Sequence, residues 1–148
     1  MCRTVGMTRS PSSGSTPPPT GGGAIVNTNS GLCLSDTNGS TTLKTTGDIA
    51  TCNSTAAQSW TVNSGTLVDG NGLCLSVTGG STALKAVTDV YTCNGSASEN
   101  WTVNSDGTIV NTASGLCLSV TGSSTTSGAT ADIYTCNGSV SENWTVNS

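Results

Sequence analysis

Apolar residues occur along the chain in runs of two or three, separated by stretches rich in Ser, Thr, Gly and Asn. No ten-residue window has the apolar spacing of an amphipathic helix, whereas short apolar runs between turn residues are typical of β-strands. The turns contain Asn-Gly, Gly-Gly and Asp-Gly pairs, which favour tight connections. The chain is therefore predicted to be all-β with almost no helix. The first predicted strands cover residues 24–26, 32–34, 48–52 and 59–62.

This strand pattern belongs to a unit that occurs three times after residue 23. Each unit has two cysteines 19 positions apart, and a tryptophan follows the second cysteine by eight residues. The first cysteines of successive units are 41 and then 43 residues apart. The units cover 24–64, 65–106 and 107–148, so no remainder is left for a second domain. A closed three-fold arrangement is expected, because it hides the edges that twelve short strands would otherwise expose.

The residues before the repeats have a different composition. Residues 10–23 contain all four prolines among Ser, Thr and Gly, which is typical of a linker. Residues 1–9 lack the apolar stretch of a secretory signal, and we interpret them as the end of an upstream domain in the same parent chain or as an addition from cloning. Because a tail of this composition buries little, removing residues 1–22 is expected to leave folding and binding unchanged.

The charge balance excludes two classes of partner. The chain has four Lys or Arg against eight Asp or Glu, a net charge of −4. It therefore has no basic surface that could neutralise the phosphates of a nucleic acid or hold an anionic membrane. Its longest apolar runs are a few residues, far below the roughly 20 that cross a bilayer. Neither nucleic acid nor a membrane is an expected partner.

The cysteines and tryptophans indicate how the units are held together. Six cysteines at one repeated spacing, without a Cys-x-x-Cys pair or any His, favour disulfides over a zinc site. Each bond would close a loop of about 20 residues and contribute on the order of 3 kcal/mol. Cys2 would pair with an upstream region or remain a thiol. The tryptophans recur once per unit before Thr-Val and are predicted to form a core layer. The positions are Cys33 and Cys52, Cys74 and Cys93, Cys117 and Cys136, with Trp60, Trp101 and Trp144.

The combined pattern resembles the ricin-B-type lectin family, and the resemblance covers everything after residue 23. The matching residues are Gly-Leu-Cys-Leu at 31–34, 72–75 and 115–118, Cys-Asn at 52–53, 93–94 and 136–137, and Gln-Ser-Trp at 58–60. The resemblance implies a β-trefoil and binding of galactose-, xylan- or arabinan-type glycans. It also implies a module often appended to a secreted glycosidase. The near-identical units favour binding at several sites over one catalytic site, and no cofactor or metal is expected.

Several positions depart from the family pattern. The family's sugar-binding Asp after Cys-Leu is Ser in every unit, and the Gln of Gln-x-Trp is retained only in the first. A carboxylate stands four residues before each second cysteine, where related lectins often carry a Gln that reaches the sugar. The substitutions are Ser35, Ser76 and Ser119 for Asp, Glu99 and Glu142 for Gln, and Asp48, Asp89 and Asp132 before the cysteines.

The candidate sites lie in the second and third units. A sugar needs an aromatic face for its C–H side and fixed polar groups for its hydroxyls. Each aspartate lies two residues before a tyrosine on one predicted strand, so both project to the same side. Asparagine and serine can add hydrogen bonds. The predicted sites are Ser76, Asp89, Tyr91 and Asn94, and Ser119, Asp132, Tyr134 and Asn137. Ala50 replaces the tyrosine in the first unit, so that site is expected to be weak or silent.

Other roles for these residues remain open. The tyrosines could cover the barrel, while the aspartates and asparagines could cap or form turns. Glu99 and Glu142 are expected to face solvent or bind the backbone rather than a ligand. Two other functions compete with sugar binding: a glycosidase using Asp89 with Glu99 or Asp132 with Glu142, and a protein-binding trefoil such as a hydrolase inhibitor or adhesive surface protein.

Overall fold

The computed structural model describes residues 23–147. The tail, most of the linker, Cys2 and Ser148 lie outside the described residues, so the expectations for the tail stay predictions. The described chain forms twelve short strands, which confirms the all-β prediction, and none of its helical turns is long and apolar enough to cross a membrane. The strands are β1 Ile25–Asn27, β2 Cys33–Asp36, β3 Gly47–Ala50, β4 Trp60–Asn63, β5 Thr66–Asp69, β6 Cys74–Val77, β7 Thr88–Tyr91, β8 Trp101–Val103, β9 Ile109–Asn111, β10 Cys117–Val120, β11 Ala131–Tyr134 and β12 Trp144–Val146.

Each unit also has two short 3₁₀ turns, one after its second strand and one before its fourth. They add no regular helix to the fold. Their bounds are Thr37–Gly39, Ala56–Gln58, Thr78–Gly80, Ala97–Glu99, Thr121–Ser123 and Val140–Glu142.

The strands form three antiparallel sheets of four, in the orders β12-β1-β2-β3, β4-β5-β6-β7 and β8-β9-β10-β11. Every sheet takes one outer strand from the preceding unit, and β12 closes the ring by pairing with β1, where Ile25 lies opposite Val146. Gly23, which the sequence placed in the linker, exchanges two backbone hydrogen bonds with Trp60, at 2.9 and 2.8 Å. The paired region therefore begins one residue earlier than predicted.

The tryptophans lie in the core, as predicted. Trp60, Trp101 and Trp144 are at most 3% exposed and pack with the buried aliphatic residues of all three units. A buried indole N–H needs an acceptor, and each finds one in the second strand of its own unit. The Nε1 atoms donate to the carbonyl oxygens of Leu34, Leu75 and Leu118 at 2.9, 2.9 and 3.0 Å.

The three disulfides form within the units, which confirms that prediction. They join Cys33 to Cys52, Cys74 to Cys93 and Cys117 to Cys136. In each pair the first cysteine is buried in a strand and the second lies in an exposed loop. That loop begins directly after β3, β7 or β11, so each disulfide fixes the end of the strand on which the candidate site residues lie.

The three units differ at one central position. Gly47, Thr88 and Ala131 each begin the third strand of their unit. Thr88 Oγ1 donates to the Ala131 carbonyl at 2.9 Å. A Cβ atom on Gly47 would lie only 2.5 Å from Thr88 Oγ1. The Thr88 side chain therefore fits because residue 47 has no side chain.

Candidate functional site

The paired strands bring the predicted serines and aspartates together. Ser76 lies opposite Asp89 in the β6–β7 pair, and Ser119 lies opposite Asp132 in the β10–β11 pair. Side chains alternate along a strand, so each aspartate shares a strand face with the tyrosine two residues later. The aspartates are buried and the tyrosines half-buried. In the second and third units, the aspartate is therefore the floor of the strand face and the tyrosine is its more exposed part.

In the third unit these residues line a cavity of about 380 Å³. All four predicted residues contribute to it, and a lysine of the second unit completes one side. The cavity is lined by Ser119, Asp132, Tyr134 and Asn137 together with Lys85, Val120, Thr121, Gly122, Ser123, Ser139 and Ser141.

The aspartates keep an oxygen without a hydrogen-bond partner. Asp132 is 2% exposed, and its Oδ2 accepts from Thr121 Oγ1 at 3.0 Å, while its Oδ1 has no partner. Asp89 repeats this arrangement with Thr78, whose Oγ1 lies 3.3 Å from Asp89 Oδ2. Burial raises the pKa of both carboxyls, and the threonine hydrogen bonds oppose the rise. A buried polar atom left unpaired costs about 1–3 kcal/mol, so each aspartate has unused capacity for a donor.

Two serines that the sequence interpretation missed lie beside the predicted serines, and Ser141 also lines the third-unit cavity. Ser141 Oγ lies 3.3 Å from Ser119 Oγ, and Ser98 Oγ lies 3.2 Å from Ser76 Oγ. The equivalent residue of the first unit is Ala57. Comparing the units could have revealed them, because these serines occur in the same two units as the tyrosines.

The asparagines have a structural role besides any ligand contact. Asn94 Oδ1 accepts the backbone N–H of Ser96 at 3.0 Å, and Asn137 Oδ1 accepts that of Ser139 at 2.9 Å. The side-chain oxygen is thus used by the turn. The amide nitrogen of Asn137, at the wall of the third-unit cavity, is the group suited to a ligand hydroxyl.

The glutamates bind the backbone, whereas the alternative that they face solvent is wrong. Both are fully buried. Glu99 Oε1 accepts from the backbone N–H of Asn94 at 2.9 Å, and Glu142 Oε1 accepts from that of Asn137 at 3.0 Å. They hold the loop that follows the disulfide. Glu142 does not line the third-unit cavity, so this geometry gives no support to a catalytic pair with Asp132.

The first unit also has a cavity, of about 500 Å³, although no aromatic residue lines it. Ala50 stands in the tyrosine position, and Asp48 and Ser35 line the same space. Burial raises the pKa of Asp48 to about 6. The expectation that this site is weak or silent stays a prediction, and its physical basis is the missing stacking surface.

Comparison with solved structures identifies the architecture as a β-trefoil. A designed three-fold symmetric protein, ThreeFoil, is 27% identical with a TM-score of 0.79, over 84% of this chain and 97% of that one. An exo-β-1,3-galactanase from Clostridium thermocellum is also 27% identical, with a TM-score of 0.78 over 87% of this chain. This chain matches 30% of the galactanase. The C-half of an earthworm R-type lectin, solved with GalNAc, is 13% identical with a TM-score of 0.69, over 84% and 95% of the two chains.

No curated protein sequence matches the chain. The family model of the ricin-type beta-trefoil lectin domain, however, matches residues 21–144. That match includes the first two repeats, the third up to Trp144, both predicted sites and the three disulfides, and the chain belongs to the ricin-type beta-trefoil lectin domain family.

Proposed function

We propose that the chain binds carbohydrate without catalysis, through the pockets of its second and third units. The observation that carries the proposal is the third-unit cavity, where Ser119, Asp132, Tyr134 and Asn137 meet around one space. The ligands proposed are glycans of the galactose, xylan or arabinan type. The second unit repeats the same residues at equivalent positions of β6 and β7.

The pocket chemistry suits a sugar ring. The half-buried ring of Tyr134 offers an apolar face to the C–H side of a pyranose or furanose. Asp132 accepts a hydroxyl proton in a charge-assisted hydrogen bond, which is stronger than one between neutral groups. The amide nitrogen of Asn137 donates to a second hydroxyl. Stacking fixes the plane of the ring, and the polar groups then select the orientation of its hydroxyls.

The biological setting proposed is a secreted module within a longer, glycan-active protein. Three disulfides are typical of an oxidising, extracellular compartment. The galactanase supports the appended arrangement, because this chain matches 30% of its length. The earthworm lectin, solved with GalNAc, supports a galactose-type ligand.

A glycan and polysaccharide screen followed by titration calorimetry tests the function. We expect a stoichiometry near two for the parent and near one for Tyr91→Ala or Tyr134→Ala. The double variant should not bind. Single variants should also be retained less by a polymer, because one of two linked contacts is lost. The control is Val62→Ala, at an exposed position of β4, which should bind like the parent.

Two results would contradict the proposal. Parental affinity in the double variant would show that the tyrosines are structural, and release of reducing sugar from a bound polysaccharide would show catalysis. A pull-down that captured a protein from an extracellular extract, together with a negative glycan screen, would instead favour the protein-binding alternative.

A further inference from the structure

The loop before the third strand of each unit reaches into the next unit. Its tip is Lys44 in the first unit, Lys85 in the second and Gly128 in the third. The backbone N–H of Lys44 donates to the Val90 carbonyl at 2.7 Å, and that of Lys85 donates to the Ile133 carbonyl at 2.7 Å. Val90 and Ile133 stand between the aspartate and the tyrosine of β7 and β11. Each tip is thus fixed beside the candidate site of the following unit.

Both lysines adopt a backbone conformation that disfavours side chains. Their φ angles are 72° and 69°, whereas the third loop has Gly128 at 95°. Left-handed backbone is unfavourable for a non-glycine residue, and such strain is concentrated at functional sites. Glycine in the third loop shows that the turn can form without a side chain. The side chains of Lys44 and Lys85 are therefore not required by the turn itself.

The positive charge of the described chain is concentrated at these two positions. Lys44 and Lys85 are the only basic residues within 23–147. Lys85 lines the third-unit cavity with Asp132. Its charge lowers the pKa of that carboxyl against the larger effect of burial, and Lys44 acts in the same way on Asp89. Two other groups act on each aspartate, a hydrogen-bonding threonine and a nearby glutamate. They are Thr121 and Glu142 for Asp132, and Thr78 and Glu99 for Asp89.

The pocket without a tyrosine also lacks the lysine. The first-unit cavity has Ser127 and Gly128 at its edge, whereas the loops that reach the other two sites have a Leu-Lys pair at these positions. The same cavity has Ala50 in the tyrosine position. Aromatic ring and cation are therefore present together at the candidate sites of the second and third units and absent together from the first. The lysine and the tyrosine of one site come from neighbouring units, because the Lys44 loop reaches the site of Tyr91 and the Lys85 loop reaches that of Tyr134.

We propose that Lys44 and Lys85 are specificity-determining residues that complete the sugar pockets of the second and third units, each supplied by the preceding unit. The inference rests on the proposed function. An ammonium group beside a carboxylate gives a pocket with one cationic donor and one anionic acceptor. Such a pair suits a neutral sugar with adjacent hydroxyls, one donating to the aspartate and the next accepting from the lysine.

The test uses variants that keep one pocket. In the Tyr91→Ala background, where the third pocket remains, Lys85→Met should weaken binding of a neutral glycan about ten- to a hundredfold, as for loss of a charge-assisted hydrogen bond. In the Tyr134→Ala background, Lys44→Met should have that effect. The opposite pairings are the matched controls. The proposal is supported if each lysine substitution weakens binding only in its own background and leaves the melting temperature unchanged. Equal effects of both lysines in both backgrounds would overturn it.

A second measurement needs no ligand. Carbon-13 NMR titration of the side-chain carboxyls should show that Lys85→Met raises the pKa of Asp132 and leaves that of Asp89 in place, with the reverse for Lys44→Met. If the parent bound no glycan, the proposed function would fail, yet these titrations would still decide the pairing. Unchanged carboxyl titrations in both variants would overturn the inference even if the parent bound sugar.

Discussion

Asp36 and Asp69 bury two carboxyl groups against each other where the first unit meets the second. Asp36 is fully buried and Asp69 is 4% exposed, and apart from the hydrogen bond between the two carboxyls, both oxygens of Asp36 and Oδ2 of Asp69 lack hydrogen-bond partners. Burial raises the pKa of Asp36 to about 9, and the neighbouring Asp69 adds to the rise. The other two junctions place Val77 with Asn111 and Val120 with Asn27 at the equivalent positions. There the asparagine Nδ2 donates to a backbone carbonyl of the preceding unit, at 3.2 and 3.1 Å.

Converting this junction to the form of the other two should stabilise the protein. We expect the double substitution Asp36→Val with Asp69→Asn to raise the free energy of unfolding at pH 7 by about 1–3 kcal/mol, because it removes a buried carboxyl pair that must hold a proton at this pH. Urea denaturation measures the change. The reverse exchange at the third junction, Val120→Asp with Asn27→Asp, should destabilise by a similar amount. A double variant no more stable than the parent would contradict this account.

The same junction should make stability depend on pH. The pKa of Asp36 lies at about 9 in the folded protein against an ordinary value of 3.8, so the folded state holds a proton that the unfolded state has lost. The free energy of unfolding therefore falls as pH rises from about 4 to about 9. Asp36→Val should reduce that slope. Urea denaturation at several pH values in this range measures it, and equal slopes in parent and variant would rule out Asp36 as the source.

Replacing the buried glutamates by glutamine, the residue at the equivalent position of the first unit, should stabilise the protein. Gln58 uses both ends of its amide, since Oε1 accepts the Asn53 N–H at 2.7 Å and Nε2 donates to the Thr51 carbonyl at 2.9 Å. Oε2 of Glu99 and of Glu142 has no partner. Glu99→Gln or Glu142→Gln should therefore add about 1 kcal/mol to the free energy of unfolding. Gln58→Glu is the matched control and should lower thermal stability. If all three changes shifted the melting temperature in one direction, this explanation would be wrong.

The packing at the central position predicts an energetic coupling. Gly47→Ala places a methyl group against Thr88 Oγ1 and should cost about 1–3 kcal/mol through overpacking. In a Thr88→Ala background the methyl group has room, so the same change should cost much less. A double-mutant cycle measured by chemical denaturation gives the coupling. Additive costs would mean that the two positions do not compete for space.

The features that the sequence predicted are the ones repeated within each unit. Strand positions, the disulfides and the buried tryptophans follow from spacing and alternation, because those constraints act over a few residues or recur three times. The Asp36–Asp69 contact and the lysine beside the next unit's aspartate join different units. Neither follows from the pattern of a single repeat. For Glu99 and Glu142, backbone binding was one of the two expected roles, but their burial was not predicted, because a carboxylate between polar residues is typical of a surface position.

The outer strand that every sheet takes from its neighbour has a consequence for how such a protein can arise. In a peptide of one unit, the first strand would have no partner within the peptide and would have to pair with the last strand of a second molecule. Three copies could pair their strands in a closed ring, and closure of the ring fixes their number at three. Joining the copies in one chain replaces an assembly that depends on concentration by an intramolecular reaction. It also frees the copies from being identical, so that one unit can carry Ala50 and Gly47 where another carries Tyr91 and Thr88.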